Sequence, residues 1–212
     1  MSELGAFLAR LQVALQGTLP GEVAHARMRP PGRLSAPSAD LPPARQAGVL
    51  LLLYPRAGAL HFVLTQRAPA LAHHRGQIAL PGGQREAHDR DIVHTALREA
   101  SEELGIAPEQ VCVLGTLSSV YVQPSHFWMT PVVAYAPTRL SFRPAPSEVE
   151  AVIEVSLDAL LDPRNRCFVQ RVLSDGRTST VPAFCFSGCE VWGATAMVLN
   201  EFAAVVEQAS SG

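Results

Sequence analysis

The chain has 212 residues, 48% of them hydrophobic and 17% charged, with a formal net charge of −2. That length buries a full core and reads as one domain with extensions, while the near-neutral balance gives no electrostatic reason to expect a nucleic acid or a membrane surface as partner. All 17 basic residues are Arg, which carries no mechanistic message. No apolar run approaches the roughly 20 residues of a membrane span. The N-terminal stretch has Glu3 and Arg10 inside an amphipathic pattern, not the basic start and unbroken apolar centre of a secretory signal. A cytoplasmic location is the expectation, and a homodimer is compatible with it. Cys112, Cys167, Cys185 and Cys189 show no Cys-x-x-Cys spacing, so reduced thiols are expected, with a zinc site at Cys185 and Cys189 as the alternative.

In chain order, the periodicity predicts a helix over 2–16 and then a Pro-rich segment, 29–44, containing Pro30, Pro31, Pro37, Pro42 and Pro43. Such a segment cannot be regular helix or central strand and reads as an extended arm wrapping the domain. Residues 1–45 form this extension and 46–212 the main domain. Strands are predicted at 47–54, 59–66, 77–80, 111–122 and 127–136, and the loss of alternation in Gly48-Val49-Leu50-Leu51-Leu52-Leu53-Tyr54 marks a strand buried on both faces. A helix stands between the third and fourth strands, and a short one at 156–161. Segments 167–173 and 180–186 flank Ser174-Asp175-Gly176-Arg177 as a hairpin, and a helix closes the chain at 193–208. The result is an α/β fold, a mixed sheet with helices on both sides.

The third-strand region ends in Leu80-Pro81-Gly82-Gly83, and a polar loop leads to Ile92, Val93, Ala96, Leu97, Ala100 and Leu104, apolar at helical period. Asp89 or Asp91 can cap this helix at its start and Gly105 at its end. Its last turns read Arg98-Glu99-Ala100-Ser101-Glu102-Glu103-Leu104-Gly105, so three carboxylates fall at spacings of three and four on one face. Such pairs cost an isolated helix ~0.2–0.5 kcal/mol each, and Arg98, four residues before Glu102, relieves part of that. A hard divalent cation would relieve the rest, because Mg²⁺ and Mn²⁺ take oxygen ligands. The competing reading is a solvated acidic face.

This strand-loop-helix order resembles the Nudix box of the Nudix hydrolases: Gly, five residues, Glu, seven residues, then Arg-Glu-apolar-any-Glu-Glu-any-Gly-apolar. Arg98, Glu99, Ala100, Glu102, Glu103, Gly105 and Ile106 fill the second half in register. The first half departs: after five intervening residues Gly83 is followed by Asp89, eight residues then precede Arg98, and Asp89, or Glu86 earlier, replaces the usual glutamate. A second block is similar to the motif that coenzyme A pyrophosphatases of this superfamily carry ahead of the box. It comprises Leu64, Thr65, Arg67, Leu71, His74, Gly76, Gln77, Ile78, Pro81, Gly82 and Gly83.

The resemblance implies a Nudix α/β/α sandwich and a metal-dependent pyrophosphatase acting on coenzyme A or its derivatives, giving 3′,5′-ADP and 4′-phosphopantetheine or its acyl form. It assigns Mg²⁺ or Mn²⁺ to Glu99, Glu102, Glu103 and the carbonyl of Gly83, with Arg98 steadying the carboxylates and Arg67, His74 and Gln77 meeting the substrate. A downstream acid completes the catalytic set: Glu148, in a Glu-Val pair before residues 149–155, with Glu150 as competitor. The partner implied is a small nucleotide-like molecule. Two alternatives stand beside this one: a pyrophosphatase for ADP-ribose, NADH or another nucleoside diphosphate derivative, and a non-catalytic nucleotide-binding domain.

Overall fold

The computed structural model describes residues 2–68, 76–173 and 176–211. Helix α1 (Glu3–Gln16) begins at Ser2, whose hydroxyl accepts the Gly5 N–H at 3.1 Å. It is followed by a helix the sequence did not reveal, α2 (Gly21–Ala26), too short for periodicity to register. The Pro-rich arm then leads into β1 (Arg45–Arg56). The chain continues through β2 (Ala59–Arg67), β3 (Ile78–Ala79), β4 (Gly82–Gln84), α3 (Ile92–Leu104), β5 (Cys112–Thr116), β6 (Val120–Val122), β7 (Phe127–Tyr135) and β8 (Val149–Ser156). It ends with α4 (Leu157–Leu161), β9 (Arg166–Val172), β10 (Thr178–Phe186), β11 (Cys189–Trp192) and α5 (Gly193–Ser211).

Strands β1 to β8 form one mixed sheet along β3-β2-β1-β7-β5, with β4 on β1, β6 on β7 and β8 on β2. Among the described residues only β1 and β7 run parallel, from Arg45 opposite Phe127 to Leu53 opposite Tyr135. Strand β1 is buried from Ala47 to Tyr54, so both faces of the sheet are covered, as the missing alternation predicted. Val49, Leu51 and Leu53 join one core with α1 and α5, through Leu11, Leu15, Val198, Leu199 and Phe202. Leu50, Leu52 and Tyr54 join the other with Ala96, Ala100 and Leu104 of α3. The fold is therefore a mixed α/β sandwich. Strands β9, β10 and β11 make a separate three-stranded sheet.

Two expectations are corrected. The segment 111–122 is not one strand: β5 and β6 are separated where the Leu117 N–H turns to Pro131 O and the Ser118 N–H to Glu201. Nor are all four cysteines thiols, because Cys167 and Cys185 form a disulfide, which also removes Cys185 from any zinc site; Cys112 and Cys189 remain free. Their separation of 18 residues hides the pairing. The hairpin register sets Cys167 opposite Ala183, two residues from Cys185 on the same face, which brings the two Cα atoms to 6.0 Å. Among the described residues no helix is long and apolar enough to cross a membrane.

Helix α3 lies against bare backbone. A Cβ on Gly48 of β1 would meet Ile92 O at 2.7 Å and Ala96 N at 3.0 Å, and one on Gly82, at φ +152°, would meet Gly48 O at 2.4 Å. These neighbours are main-chain atoms that cannot rotate aside. Gly48→Ala is therefore expected to destabilise the protein by at least ~2 kcal/mol, read as a lower urea midpoint at unchanged m-value; a midpoint equal to wild type would refute the close approach.

Candidate active site

Asp91 caps α3 by accepting the His94 N–H at 2.8 Å, and Gly105, left-handed at φ +68°, closes it. Asp89 has a different task. Buried at 3% exposure, it accepts from Arg98 Nε at 3.0 Å, Arg98 Nη2 at 3.1 Å, Thr95 Oγ1 at 3.0 Å and the Glu86 N–H at 2.9 Å, and pairs with His94 Nδ1 at 2.8 Å. The Arg98 guanidinium, with the other donors, holds its carboxyl far below the usual carboxylate range despite burial. Asp89 thus ties the loop to the helix, and Glu86 is exposed beside His88.

Arg98 is the hub. Besides Asp89 it reaches Glu99 Oε1 at 3.0 Å, Glu102 Oε2 at 2.9 Å and Gln84 O at 3.1 Å, so one guanidinium joins loop, strand β4 and helix. The three box glutamates share one side of the helix but not one environment. Glu102 is exposed on Arg98, whereas Glu99 and Glu103, one turn apart, point inward with side chains 14% and 3% exposed. The Glu99 carboxyl abuts the backbone of Gly83, standing 2.5 Å from where a Cβ would lie. Glu103 Oε2 accepts the Gly82 N–H at 3.3 Å, and Oε1 lies 3.7 Å from Arg67 Nη1. Burial pushes the Glu103 carboxyl up to about 7 against the pull of Arg67, and it raises Glu99 against Arg98.

Glu148 belongs to the turn before β8, which is stitched to the end of α3 by Arg143 N to Leu104 O and Ala145 N to Glu103 O. Its charge contributes to the raised pKa of both Glu99 and Glu103. Glu150, two residues on, is exposed and takes a hydrogen bond from Gln66 Nε2 at 3.2 Å. Among the described residues no three acidic, imidazole or thiol side chains stand close enough to enclose an ion. The donors do fit a hard cation held by one or two carboxylates and by a substrate's phosphates. Two buried carboxylates, raised by burial and by a third, are the excess negative charge that such an ion offsets.

Against the glycine strand opens a cleft of about 310 Å³, at the lower end of the range for small-molecule sites. Arg67, Gln77, Gly82 and Gly83 line it; His74 and Leu71 lie outside the described residues. Sequence reasoning missed five further lining residues: Arg29 and Arg33 from the arm, and the aromatic rings of Tyr121, Phe127 and Trp192. No local pattern reports them, because they reach the cleft only through tertiary folding.

A mixed α/β sandwich with an Arg-steadied acidic helix against a glycine strand defines a class that the comparisons name. Residues 44–172 match the NUDIX domain family model. The chain is also 39% identical over 161 residues to the uncharacterized Nudix hydrolase NudL of Salmonella paratyphi B, and equally to that of Salmonella newport, covering 75% of this chain and 81% of each relative. A solved MutT protein from Methanosarcina mazei shares the fold at TM-score 0.51 and 17% identity, over 80% of this chain and 97% of that one. The chain belongs to the Nudix hydrolase superfamily, whose members act on pyrophosphate bonds of nucleoside diphosphate derivatives and generally use divalent cations such as Mg²⁺ or Mn²⁺.

Two stability tests follow from the charges. Because the Asp89 pKa is depressed in the folded state, its contribution is full above the unfolded value and fades as pH falls below about 4. Asp89→Asn should cost ~2–4 kcal/mol at pH 7, with the gap from wild type narrowing in acid; a gap constant from pH 7 to 3 would contradict this. Glu103 has the opposite sign. Its raised pKa costs stability as pH climbs from about 4.5 to 7. In the presence of chelator, Glu103→Gln should therefore gain on the order of 2 kcal/mol at pH 8 and nothing near pH 4, measured by urea unfolding.

Proposed function

We propose that the chain is a divalent-metal-dependent pyrophosphatase that hydrolyses the diphosphate of coenzyme A or its derivatives, giving 3′,5′-ADP and 4′-phosphopantetheine or its acyl form. The observation that carries this reading is the cleft: three Arg and no acidic side chain among its described lining, beside Gly83 and the inward carboxylates of α3. A cationic wall next to an acidic pair suits a polyphosphate that is gripped on one side and cleaved on the other. The block at 64–78, similar to that of coenzyme A pyrophosphatases, supports coenzyme A, and Arg67 and Gln77, near its two ends, both line the cleft.

In this reading Glu99, Glu103 and the Gly83 carbonyl would hold the metal, with Glu102 beside them. When bound, Mg²⁺ or Mn²⁺ would neutralise phosphate charge and lower the pKa of water. Arg98 keeps Glu99 and Glu102 in place through direct ion pairs. Arg67, against Glu103, serves the diphosphate common to all substrates of this class. Glu148 accepts the proton of the attacking water: the box glutamates would be committed to the cation, and Glu148 is a further carboxylate whose charge acts on both Glu99 and Glu103. The phosphorus–oxygen bond to the leaving phosphate breaks as the water oxygen bonds to phosphorus. A cytoplasmic location belongs to the same proposal; there, thiol reductants would compete with the Cys167–Cys185 bridge.

Incubating the purified protein and Mg²⁺ or Mn²⁺ with coenzyme A, ADP-ribose, NADH and nucleoside triphosphates, with products read by mass, tests the substrate. Release of 3′,5′-ADP at the highest kcat/KM of the panel is expected; a preference for ADP-ribose or NADH would shift the assignment, and no turnover of any member would leave a binding domain. For the base, Glu148→Gln should lower kcat by ~10²–10⁴ with KM nearly unchanged, while Glu150→Gln behaves as wild type. The reverse pattern would move the role to Glu150.

A further inference from the structure

We propose that Arg29 and Arg33, on the Pro-rich arm, form a subsite for a phosphate group separate from the diphosphate that is cleaved. The inference rests on the pyrophosphatase reading above and deepens it by naming the part of the substrate that the arm reads. Of the three Arg side chains in the cleft, Arg67 stands 3.7 Å from Glu103 Oε1 and so belongs to the place of cleavage. Arg29 and Arg33 come from another element. Between and beside them, buried Pro30 and the Leu34 N–H, which donates to Gln123 Oε1 at 3.1 Å, fasten the arm to the cleft wall.

The state of Arg29 points to an anion. Its Nη1 and Nη2 are paired with the exposed carboxylate of Glu22, while its Nε is buried with no hydrogen-bond partner among the described residues. A buried N–H without an acceptor carries a cost that a phosphate oxygen would remove. With its Nη pair on Glu22, Arg29 offers its Nε, and Arg33 from the same short segment adds a second guanidinium; two such groups suit a phosphate monoester better than a single charge. Beside them stand the rings of Tyr121, Phe127 and Trp192, an apolar surface for a base or sugar. The combination fits a nucleoside that carries a phosphate beyond its diphosphate, as the 3′-phosphate of coenzyme A does, and ADP-ribose and NADH lack that group.

The test is calorimetric titration of the full chain, stripped of metal, with 3′,5′-ADP and with 5′-AMP, which differ only in the 3′-phosphate. Wild type should bind 3′,5′-ADP roughly tenfold or more tighter. In Arg33→Ala that ratio should fall below about two while 5′-AMP affinity stays the same, and Arg33→Lys should recover part of it. Arg29→Ala should act likewise. Arg27→Ala, an exposed arginine outside the cleft, should keep the wild-type ratio. Thermal midpoints check folding; if Arg29→Ala unfolds through loss of its Glu22 pair, Arg33→Ala decides. Equal binding of the two nucleotides by wild type, or a ratio untouched in Arg33→Ala, overturns the subsite. Cleavage of coenzyme A is read separately. Cleavage without discrimination defeats only the subsite, and discrimination without cleavage defeats only the substrate assignment.

Discussion

The structure depends on how closely α3 approaches the sheet. At Gly48 of β1 and Gly83 of β4 no side chain intervenes, so main-chain atoms of β1 meet main-chain atoms of α3, and the Glu99 carboxyl meets the backbone of Gly83. A Cβ on Gly48 would press on the α3 backbone, and one on Gly83 would press on the Glu99 carboxyl. A close backbone approach is what glycine permits and what no other residue can. The acidic pair is therefore positioned by the absence of side chains as much as by their presence.

Charge is then managed around that contact. Glu99 and Glu103 are buried and raised, Glu102 is left in solvent, and Arg98 spans both environments from a base fixed by Asp89. Asp89 occupies the place of the box's first glutamate and, through a loop one residue longer, still reaches Arg98 with both oxygens. A shorter carboxylate and a longer loop compensate one another, which explains how the first half of the motif departs from its pattern while the second half stays in register.

Much of this was legible in the sequence, for a local reason. Helix α3 announces itself by periodicity and a capping glycine, β1 by an unbroken apolar run, and the acidic turn by residue spacing, all short-range signals. What escaped is long-range. Glu103 differs from Glu102 only because Gly82 and Arg67 close over it. Helix α2 is held by α5, where burial opposes the Glu201 charge but hydrogen bonds from His25, Ser118 and Gly21 outweigh it. The break between β5 and β6 occurs where Ser118 turns toward the same glutamate, and the Cys167–Cys185 bridge appears only once the hairpin register is known. Arg29 and Arg33 sit in a proline-rich stretch whose course no periodicity reports.

The buried His25–Glu201 pair, 2.8 Å apart, has a mechanical consequence. It clamps α2, and with it the start of the arm, to α5 on the face of the sheet opposite α3. The arm and Trp192, which line the cleft, and the carboxylates of α3 thus belong to two layers with the strands between them. Changes in the α5 layer can reshape what the cleft admits without disturbing the acidic pair, and changes in the α3 layer can alter that pair without changing admission. A scaffold divided in this way lets selectivity and rate drift independently, with the sheet acting as a partition between them.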